Sequence, residues 1–359
     1  MRIGILGTRG IPNHYGGFEE LAEQLSVFLA KEGHEVYVYS SHNHPYQEQM
    51  FKGVNILHKK DPEGKMGTVG QFFYDLNCVV DARKRKFDVL LQLGYTSSSV
   101  WSFLMPSKAK LLTNMDGLEW KRAKYSNSVK VFLRRAEFWA ARNSDVLIAD
   151  AIGIQDHLLE RFQIKASFIP YGAEIVSEFD KGLLEKYKAE GIYDLVVARM
   201  EPENNIESIL KAYQGRSERL LIVGKTENQF AQDMQSQYAS ENIEWLGGVY
   251  VKEQLNALRH FSRFHFHGHS VGGTNPSLLE AMGCSARIVA HNNPFNREVL
   301  QENAYFFESH HDIIEILETP RDEVREASFI SGNLERIRTT YNWEMVNRSY
   351  LDLMLEHAN

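Results

Sequence analysis

The stretch Phe264-His265-Phe266-His267-Gly268-His269-Ser270-Val271-Gly272-Gly273-Thr274-Asn275-Pro276-Ser277-Leu278-Leu279-Glu280-Ala281-Met282 reads as a strand, a glycine-containing loop and the opening of a helix. Asn275 suits the N-cap and Pro276 the first helical position. A helix that begins this way aims N–H groups and the positive end of its dipole at an anion. Gly273, Thr274 and Asn275 are therefore candidate contacts for a diphosphate. Glu280 lies about one turn in, where a carboxylate can accept hydrogen bonds from two ribose hydroxyls. The plainer reading, a routine helix start carrying a surface Glu, stays open at this point.

Working outward, the same strand-then-helix unit recurs on both sides. Asp194–Ala198, Leu220–Val223, Ile243–Trp245 and Ile288–Ala290 read as further strands of one series, with helical stretches such as Val251–His260 between them. An earlier series has strands at Ile3–Leu6, Val36–Tyr39, Val89–Leu93, Leu111–Asn114, Val146–Ala149 and Ser167–Ile169. Its first helix, Phe18–Lys31, carries Leu21, Ala22, Leu25, Phe28 and Leu29 as one stripe and ends at Gly33. Pro170-Tyr171-Gly172 breaks the pattern between the series. A chain of 359 residues suits two α/β cores of about 170–180 residues each. The expected fold is α/β, with two doubly wound Rossmann-like domains at 1–170 and 171–342 facing a cleft. A C-terminal helix at 343–359 is expected to pack near the first domain. Ligands of such sheets bind beyond the carboxyl ends of the strands.

Composition narrows the class. Hydrophobic residues make up 43% and charged residues 24%, as in a soluble globular protein. No run of about 18 apolar residues exists to span a membrane. Arg2-Ile3-Gly4-Ile5-Leu6 stops at Gly7, too short for a secretory signal. Cys78 and Cys284 alone make neither a disulfide framework nor a structural zinc site, so a cytoplasmic, reducing home is expected. The net charge of -7 is uneven. Thirteen Lys and Arg face four Asp and Glu between Ala82 and Arg142, about +9, which leaves about -16 elsewhere. Either that segment is a solvated surface, or it draws the protein to an anionic membrane face or a lipid phosphate. No motif points to nucleic acid.

Three more stretches carry candidate chemistry. Gly7-Thr8-Arg9-Gly10-Ile11-Pro12-Asn13-His14-Tyr15-Gly16-Gly17 joins the first strand to the first helix. Glycines there let backbone approach a ligand, or simply make a tight turn. A dinucleotide site would need an acid at the end of the second strand, where Ser40-Ser41-His42 stands. Ala198-Arg199-Met200-Glu201-Pro202-Glu203-Asn204-Asn205 places an arginine fork at a strand end, suited to phosphate or merely to the surface. In Asn114-Met115-Asp116-Gly117-Leu118-Glu119-Trp120-Lys121-Arg122, Asp116 and Glu119 can orient or deprotonate an acceptor hydroxyl, and Lys121 and Arg122 can meet a phosphate. Helix capping is the alternative for Asp116. His265, His267 and His269 lack a carboxylate partner for a metal. They are either packed histidines or, for His267 and His269, hydrogen-bond partners of a donor.

Arg199, the Gly273-Thr274 turn and Glu280, in that order, resemble family 4 of the retaining GT-B glycosyltransferases. The similarity is greatest to the bacterial rhamnosyltransferase branch of surface polysaccharide synthesis. It rests on Thr8-Arg9-Gly10-Ile11-Pro12, Tyr15-Gly16-Gly17-Phe18-Glu19, Asp116 to Arg122 and His267 to Pro276, and spans nearly the whole chain. The resemblance implies transfer, with retention, of a sugar such as rhamnose from dTDP-rhamnose or a UDP-sugar. The acceptor would be a saccharide or lipid-linked saccharide at the inner membrane face. Neither cofactor nor metal is implied. Asp116, Glu119 and Arg199 are the implied catalytic residues. Gly16, Gly17, Arg199, Asn204, His267, His269, Gly273, Thr274, Asn275 and Glu280 are implied for the donor, and Tyr15, Lys121 and Arg122 for the acceptor. Two positions depart from the broad family: Asn204 stands where a Lys is usual and Gly272 where a Glu is usual. The rhamnosyltransferase-like branch shares both, which reads as a different grip on the sugar. A GT-B nucleotide-sugar epimerase and a non-catalytic sugar-nucleotide-binding assembly subunit are the competing readings.

Overall fold

The computed structural model describes residues 1–14, 16–122 and 125–358. The chain divides into two compact units. The first comprises Met1–Trp120, Tyr125–Tyr171 and Trp343–Asn359, and the second Lys121–Lys124 and Gly172–Asn342.

In the first unit the strands are β1 (Arg2–Leu6), β2 (Glu35–Ser41), β3 (Met50–Phe51), β4 (Val54–Lys59), β5 (Val89–Leu93), β6 (Lys110–Asn114), β7 (Val146–Ala149) and β8 (Ser167–Phe168). The helices are α1 (Gly17–Lys31), α2 (Glu63–Met66), α3 (Val69–Ala82), α4 (Asn127–Asn143) and α5 (Ile152–Phe162). Among the described residues the sheet has eight strands in the order β3-β4-β2-β1-β5-β6-β7-β8. All pairings are parallel except β3 with β4. β5 is buried at every residue, as a strand covered on both faces must be. Helix α1 buries Leu21, Ala22, Leu25 and Leu29, a stripe at helical spacing, against Ile3, Ile5, Val36 and Val38. Each such large side chain contributes about 1.5–3 kcal/mol by leaving water. The C-terminal helix Trp343–His357 adds Val346, Tyr350, Leu351 and Met354 to the same core. Its Tyr350 hydroxyl accepts a hydrogen bond from Asn114 Nδ2 at 2.9 Å, at the end of β6.

In the second unit the strands are β9 (Asp194–Val197), β10 (Leu220–Val223), β11 (Ile243–Gly247), β12 (His265–His267), β13 (Ile288–His291) and β14 (Tyr305–Phe307). The helices are α6 (Ile206–Tyr213), α7 (Gln229–Gln237), α8 (Lys252–Phe261), α9 (Pro276–Gly283), α10 (Pro294–Leu300), α11 (His310–Glu318) and α12 (Glu323–Thr339). The sheet order is β11-β10-β9-β12-β13-β14, all parallel. Fully buried Asp194 anchors β9. It accepts from Arg263 Nε at 2.9 Å, Tyr213 Oη at 2.6 Å and Phe264 N at 3.0 Å. A buried carboxylate survives only with such complete pairing.

Both sheets are doubly wound, as the alternation of strand and helix predicts. In the first, the chain runs β1, β2, β4 to one side and then returns to lay β5 on the other. In the second it runs β9, β10, β11 and returns to lay β12. The switch points are therefore β1/β5 and β9/β12, and the loops leaving those strands frame a crevice in such folds.

Candidate functional site

At the β9/β12 switch, two loops brace each other. Gly268 is so close to Asn204 that a Cβ would lie 2.0 Å from the Asn204 carbonyl oxygen. Asn205 Nδ2 donates to Gly268 O at 2.8 Å, and Ser270 donates to Glu203 O from both its N (3.0 Å) and its hydroxyl (2.8 Å). From the other side, Asn293 and Asn296 donate to His269 O at 2.9 and 3.0 Å. Pinned loops keep their geometry when a ligand arrives. Gly272 has φ +135° with nothing near its missing Cβ, so it is glycine for backbone conformation rather than space. A Glu at that position would be strained on this loop path.

Helix α9 starts as the sequence predicts: Asn275 caps it, its Oδ1 accepting from Ser277 N at 3.0 Å, with Pro276 first. Gly273 is half-buried and Thr274 buried just before the cap. Glu280, half-exposed, is held from behind by Arg259 at 2.5 Å. That guanidinium is only 2% exposed and reaches Ser277 Oγ as well, at 3.3 Å. Arg199 is exposed at the end of β9, its Nη2 4.0 Å from Glu201 Oε2. Arg122, which groups with this unit, lies 3.8 Å from the same oxygen, while Lys121 is exposed.

Two of the implied donor contacts sit otherwise than expected. Asn204 is 2% exposed and its amide donates to Arg199 O at 2.7 Å. It braces the arginine loop from inside and does not present itself to a ligand. His267 is 1% exposed, its ring stacked on His269 at 4.5 Å, so it too lies beneath the surface. Burial, with Arg199 and Arg122 nearby, pushes His269 down to about 3. Burial, then Arg259, does the same to His265, and His267 is held well below the usual range. These imidazoles are neutral near pH 7. They can exchange hydrogen bonds but carry no charge to a phosphate. Among the described residues no group of three or more His, Cys, Asp or Glu is arranged to hold a metal.

Three residues here went unread in the sequence. Lys225 is exposed beyond β10; Val223 pairs with Val197, so Lys225 and Arg199 each stand two residues past the paired ends. A Gly-Lys pair just after a strand was the available signal. Arg259 gave none, being one cation on an amphipathic helix. Glu203 has both carboxylate oxygens shielded and without a partner among the described residues.

At the β1/β5 switch of the first unit lies a pocket of about 210 Å³. Loops after β1 and β5 line it with Thr8, Arg9, Gly94, Tyr95 and Ser97, and α3 contributes Tyr74 and Asp75. Asp116 reaches it from the end of β6. Its φ of +52° is unusual for a non-glycine residue and is supported by the Asp116 N to Asn114 Oδ1 bond at 2.9 Å. Glu119 is 8% exposed and does not line the pocket. Gly16 and Gly17 open α1, but the anion seat expected there meets a carboxylate. Buried Glu19 accepts from Arg9 N at 2.8 Å and Thr8 Oγ1 at 3.3 Å. A phosphate would have to displace it against charge repulsion. Tyr15 lies outside the described residues.

Residues 181–325 match the family described as Glycosyl transferases group 1. The second unit is a glycosyl transferases group 1 domain. Residues 1–174 match a domain of unknown function, DUF1972. No curated protein matches the chain significantly. Among solved structures, the chain is similar to a sucrose-phosphate synthase from Thermosynechococcus elongatus, with TM-score 0.80 and 15% identity over 99% of this chain and 98% of that one. It is also similar to HepE of Anabaena in complex with UDP-glucose, with TM-score 0.75 and 14% identity over 99% of both chains. A glycosyltransferase from Rickettsia africae matches with TM-score 0.69 and 15% identity over 99% and 98%. The fold is GT-B.

Proposed function

We propose that this protein is a nucleotide-sugar-dependent glycosyltransferase whose donor is gripped by the second unit. The observation that carries the reading is the Arg259–Glu280 pair on α8 and α9 beside the Arg199 loop. A buried cation fixes one carboxylate oxygen of Glu280, and the half-exposed carboxylate is then oriented for the two ribose hydroxyls of a nucleotide. Ser277 N and Leu278 N are already satisfied by Asn275. We place the diphosphate at the turn before α9, beside Gly273 and Thr274 and the Arg199 fork, with Lys225 as the second cation that position 204 lacks. These groups act where negative charge grows as the bond from the anomeric carbon to the diphosphate oxygen breaks. The bond to the acceptor oxygen forms on the same face, and the acceptor hydroxyl's proton leaves toward a base, for which Asp116 is the candidate. The match to a group 1 glycosyl transferase domain and the likeness to a UDP-glucose complex support the class.

The finer assignment is a deoxyhexose such as rhamnose, carried by dTDP or UDP and passed with retention to a saccharide or lipid-linked saccharide. It rests on the motif resemblance. Peripheral contact with an anionic membrane is supported by α4, where Lys130, Arg134 and Arg135 flank exposed Val131 and Phe138, with Phe103 71% exposed on the neighbouring turn. No helix among the described residues is long and apolar enough to cross a membrane.

The test is calorimetric titration with dTDP, UDP and GDP. One nucleotide should bind, and Glu280→Gln should weaken it about tenfold, the worth of a charged hydrogen bond. Arg259→Met should weaken it similarly by releasing Glu280, without further loss in the double variant. Unchanged binding in both variants would remove the ribose role.

A further inference from the structure

We propose that Arg122 is a second guanidinium for the donor's diphosphate, set beside Arg199 by a segment whose sequence neighbours belong to the first unit. The proposal rests on the glycosyltransferase reading, and it moves to the donor a residue that the motif resemblance implies for the acceptor.

Packing decides which substrate Arg122 can meet. Lys121–Lys124 group with the second unit, although Trp120 before them and Tyr125 after them group with the first. Within the second unit Arg122 Nη1 lies 3.8 Å from Glu201 Oε2, and Arg199 Nη2 lies 4.0 Å from the same atom. The two guanidiniums therefore converge on one point beside the loop that follows β9. The field at the buried His269 ring agrees, since the charges acting on it are Arg199, Arg122 and Glu201. His269 belongs to the loop that leads to α9, and its carbonyl is pinned by Asn293 and Asn296. That loop is tied to the Arg199 loop where Ser270 donates to Glu203 O. Arg122 thus stands where the two loops that the reading gives to the diphosphate meet.

The charge balance favours an anion at that point. Two guanidiniums face one carboxylate, and the imidazole near them is neutral, so a positive charge is left over. The side chains of Arg122 and Glu201 are only 15% and 16% exposed, so water screens this field weakly. Arg199, at 63%, is the member that a ligand reaches first. At 3.8 and 4.0 Å neither contact with Glu201 Oε2 is as short as a hydrogen bond, so a phosphate that draws the forks to itself breaks none at that atom. A diphosphate has two phosphoryl groups, and each can accept from a planar fork through two oxygens. Arg199 can serve one and Arg122 the other, while Lys225 remains the exposed charge past β10.

The experiment is titration of the full chain with UDP, dTDP and GDP, with the matching nucleosides, and with inorganic pyrophosphate. For the nucleotide that binds the wild type, Arg122→Gln should raise the dissociation constant about tenfold, the worth of a charged hydrogen bond. Pyrophosphate should lose about as much, and the nucleoside nothing. Arg122→Lys keeps the charge without the fork, so it should lose only a few-fold, and it keeps the test valid if Arg122→Gln fails to fold. In a Glu201→Gln background the loss from Arg122→Gln should persist. Unchanged nucleoside diphosphate affinity in Arg122→Gln would overturn the proposal and return Arg122 to the acceptor. So would an equal loss of the nucleoside, which marks a damaged fold, or a loss that vanishes with Glu201→Gln, which makes Arg122 only a holder of that carboxylate. A wild type that binds pyrophosphate through Arg122 but no nucleoside diphosphate would instead sink the glycosyltransferase reading and leave the anion site standing. A wild type that binds neither would overturn both.

Discussion

In the first unit the sheet reverses between β1 and β5, and among the described residues the pocket there is lined by Asp61, Glu63, Asp75 and Asp116 with Arg9, which pairs with Glu63. In the second it reverses between β9 and β12, where Arg199 stands past β9 near His269, which burial keeps neutral, and Lys225 is exposed past the neighbouring β10. One topology thus offers two crevices of opposite character. Topology fixes where a ligand goes, and the residues just past the strand ends fix which charge is welcome. By charge, an anion suits the second crevice better than the first.

The largest expected effect tests whether the two units are separate in stability as well as in chemistry. Asp194→Ala strips the carboxylate from Arg263, Tyr213 and Phe264 N and leaves a half-buried guanidinium unpaired. It should destabilise the second unit by about 3–5 kcal/mol. Hydrogen exchange should report the loss in β9, β10 and β12 and none in β1 and β5. Equal loss in both units would break the comparison at its base, since they would then unfold as one.

Next comes pH, on which the units should respond in opposite directions. In the folded first unit Asp75 titrates near 7, against 3.8 when exposed. Between these values the folded state holds more protons than the unfolded one, so stability falls as pH rises from about 4 to 7. Asp75→Asn should abolish that slope and gain up to ~4 kcal/mol at pH 7. In the second unit, fully buried His265 titrates near 3, against 6.5 when exposed. There the unfolded state holds more protons, so stability present above 6.5 is lost as pH falls. By pH 5 the share of His265 is about 2 kcal/mol, and His265→Gln should lack that share while His267 and His269, also held low, keep theirs. Denaturant melts followed by unit-resolved exchange at pH 5 and pH 7 check both signs. Parallel slopes in the two units would contradict the assignment.

Much of the scaffold was readable from the residues. Runs such as Val89–Leu93 and Leu220–Val223 are continuous and apolar, because a parallel strand is covered on both faces, and they fall where the strands are. β4 escaped because Asn55, His58 and Lys59 interrupt it near the sheet edge, and β14 because three residues show no period. The Asn275-Pro276 helix start was legible because capping is local chemistry. The burial of Asn204 was not legible for the opposite reason: whether an amide faces outward or braces its own loop depends on Gly268, 64 residues away, packing on its carbonyl. Asp75 carried a signal that went unused, an acid on the buried stripe of a helix otherwise apolar there. Arg259 carried none, since its meaning comes only from Glu280 on another helix.

The smallest effect sharpens the comparison most. If the second crevice attracts the donor by charge, the cations past β9 and β10 should differ in kind. Arg199 offers a fork whose Nη2 lies 4.0 Å from Glu201 Oε2, and Arg199→Ala should weaken nucleoside diphosphate binding by about 10–100-fold, the loss of charged hydrogen bonds. Lys225 is an exposed point charge beside the Tyr250 ring, at 5.9 Å. Lys225→Ala should cost a few-fold at most, about 1 kcal/mol or less, and the loss should fade as salt rises to about 1 M, where screening acts within about 3 Å. The Arg199→Ala loss should persist at that salt, because direct hydrogen bonds are screened far less. Titrations at low and high salt on both variants separate the two. A Lys225→Ala loss as large and as salt-resistant as that of Arg199→Ala would mean that Lys225 touches the diphosphate directly. Lys225 would then belong to the grip rather than to a steering field.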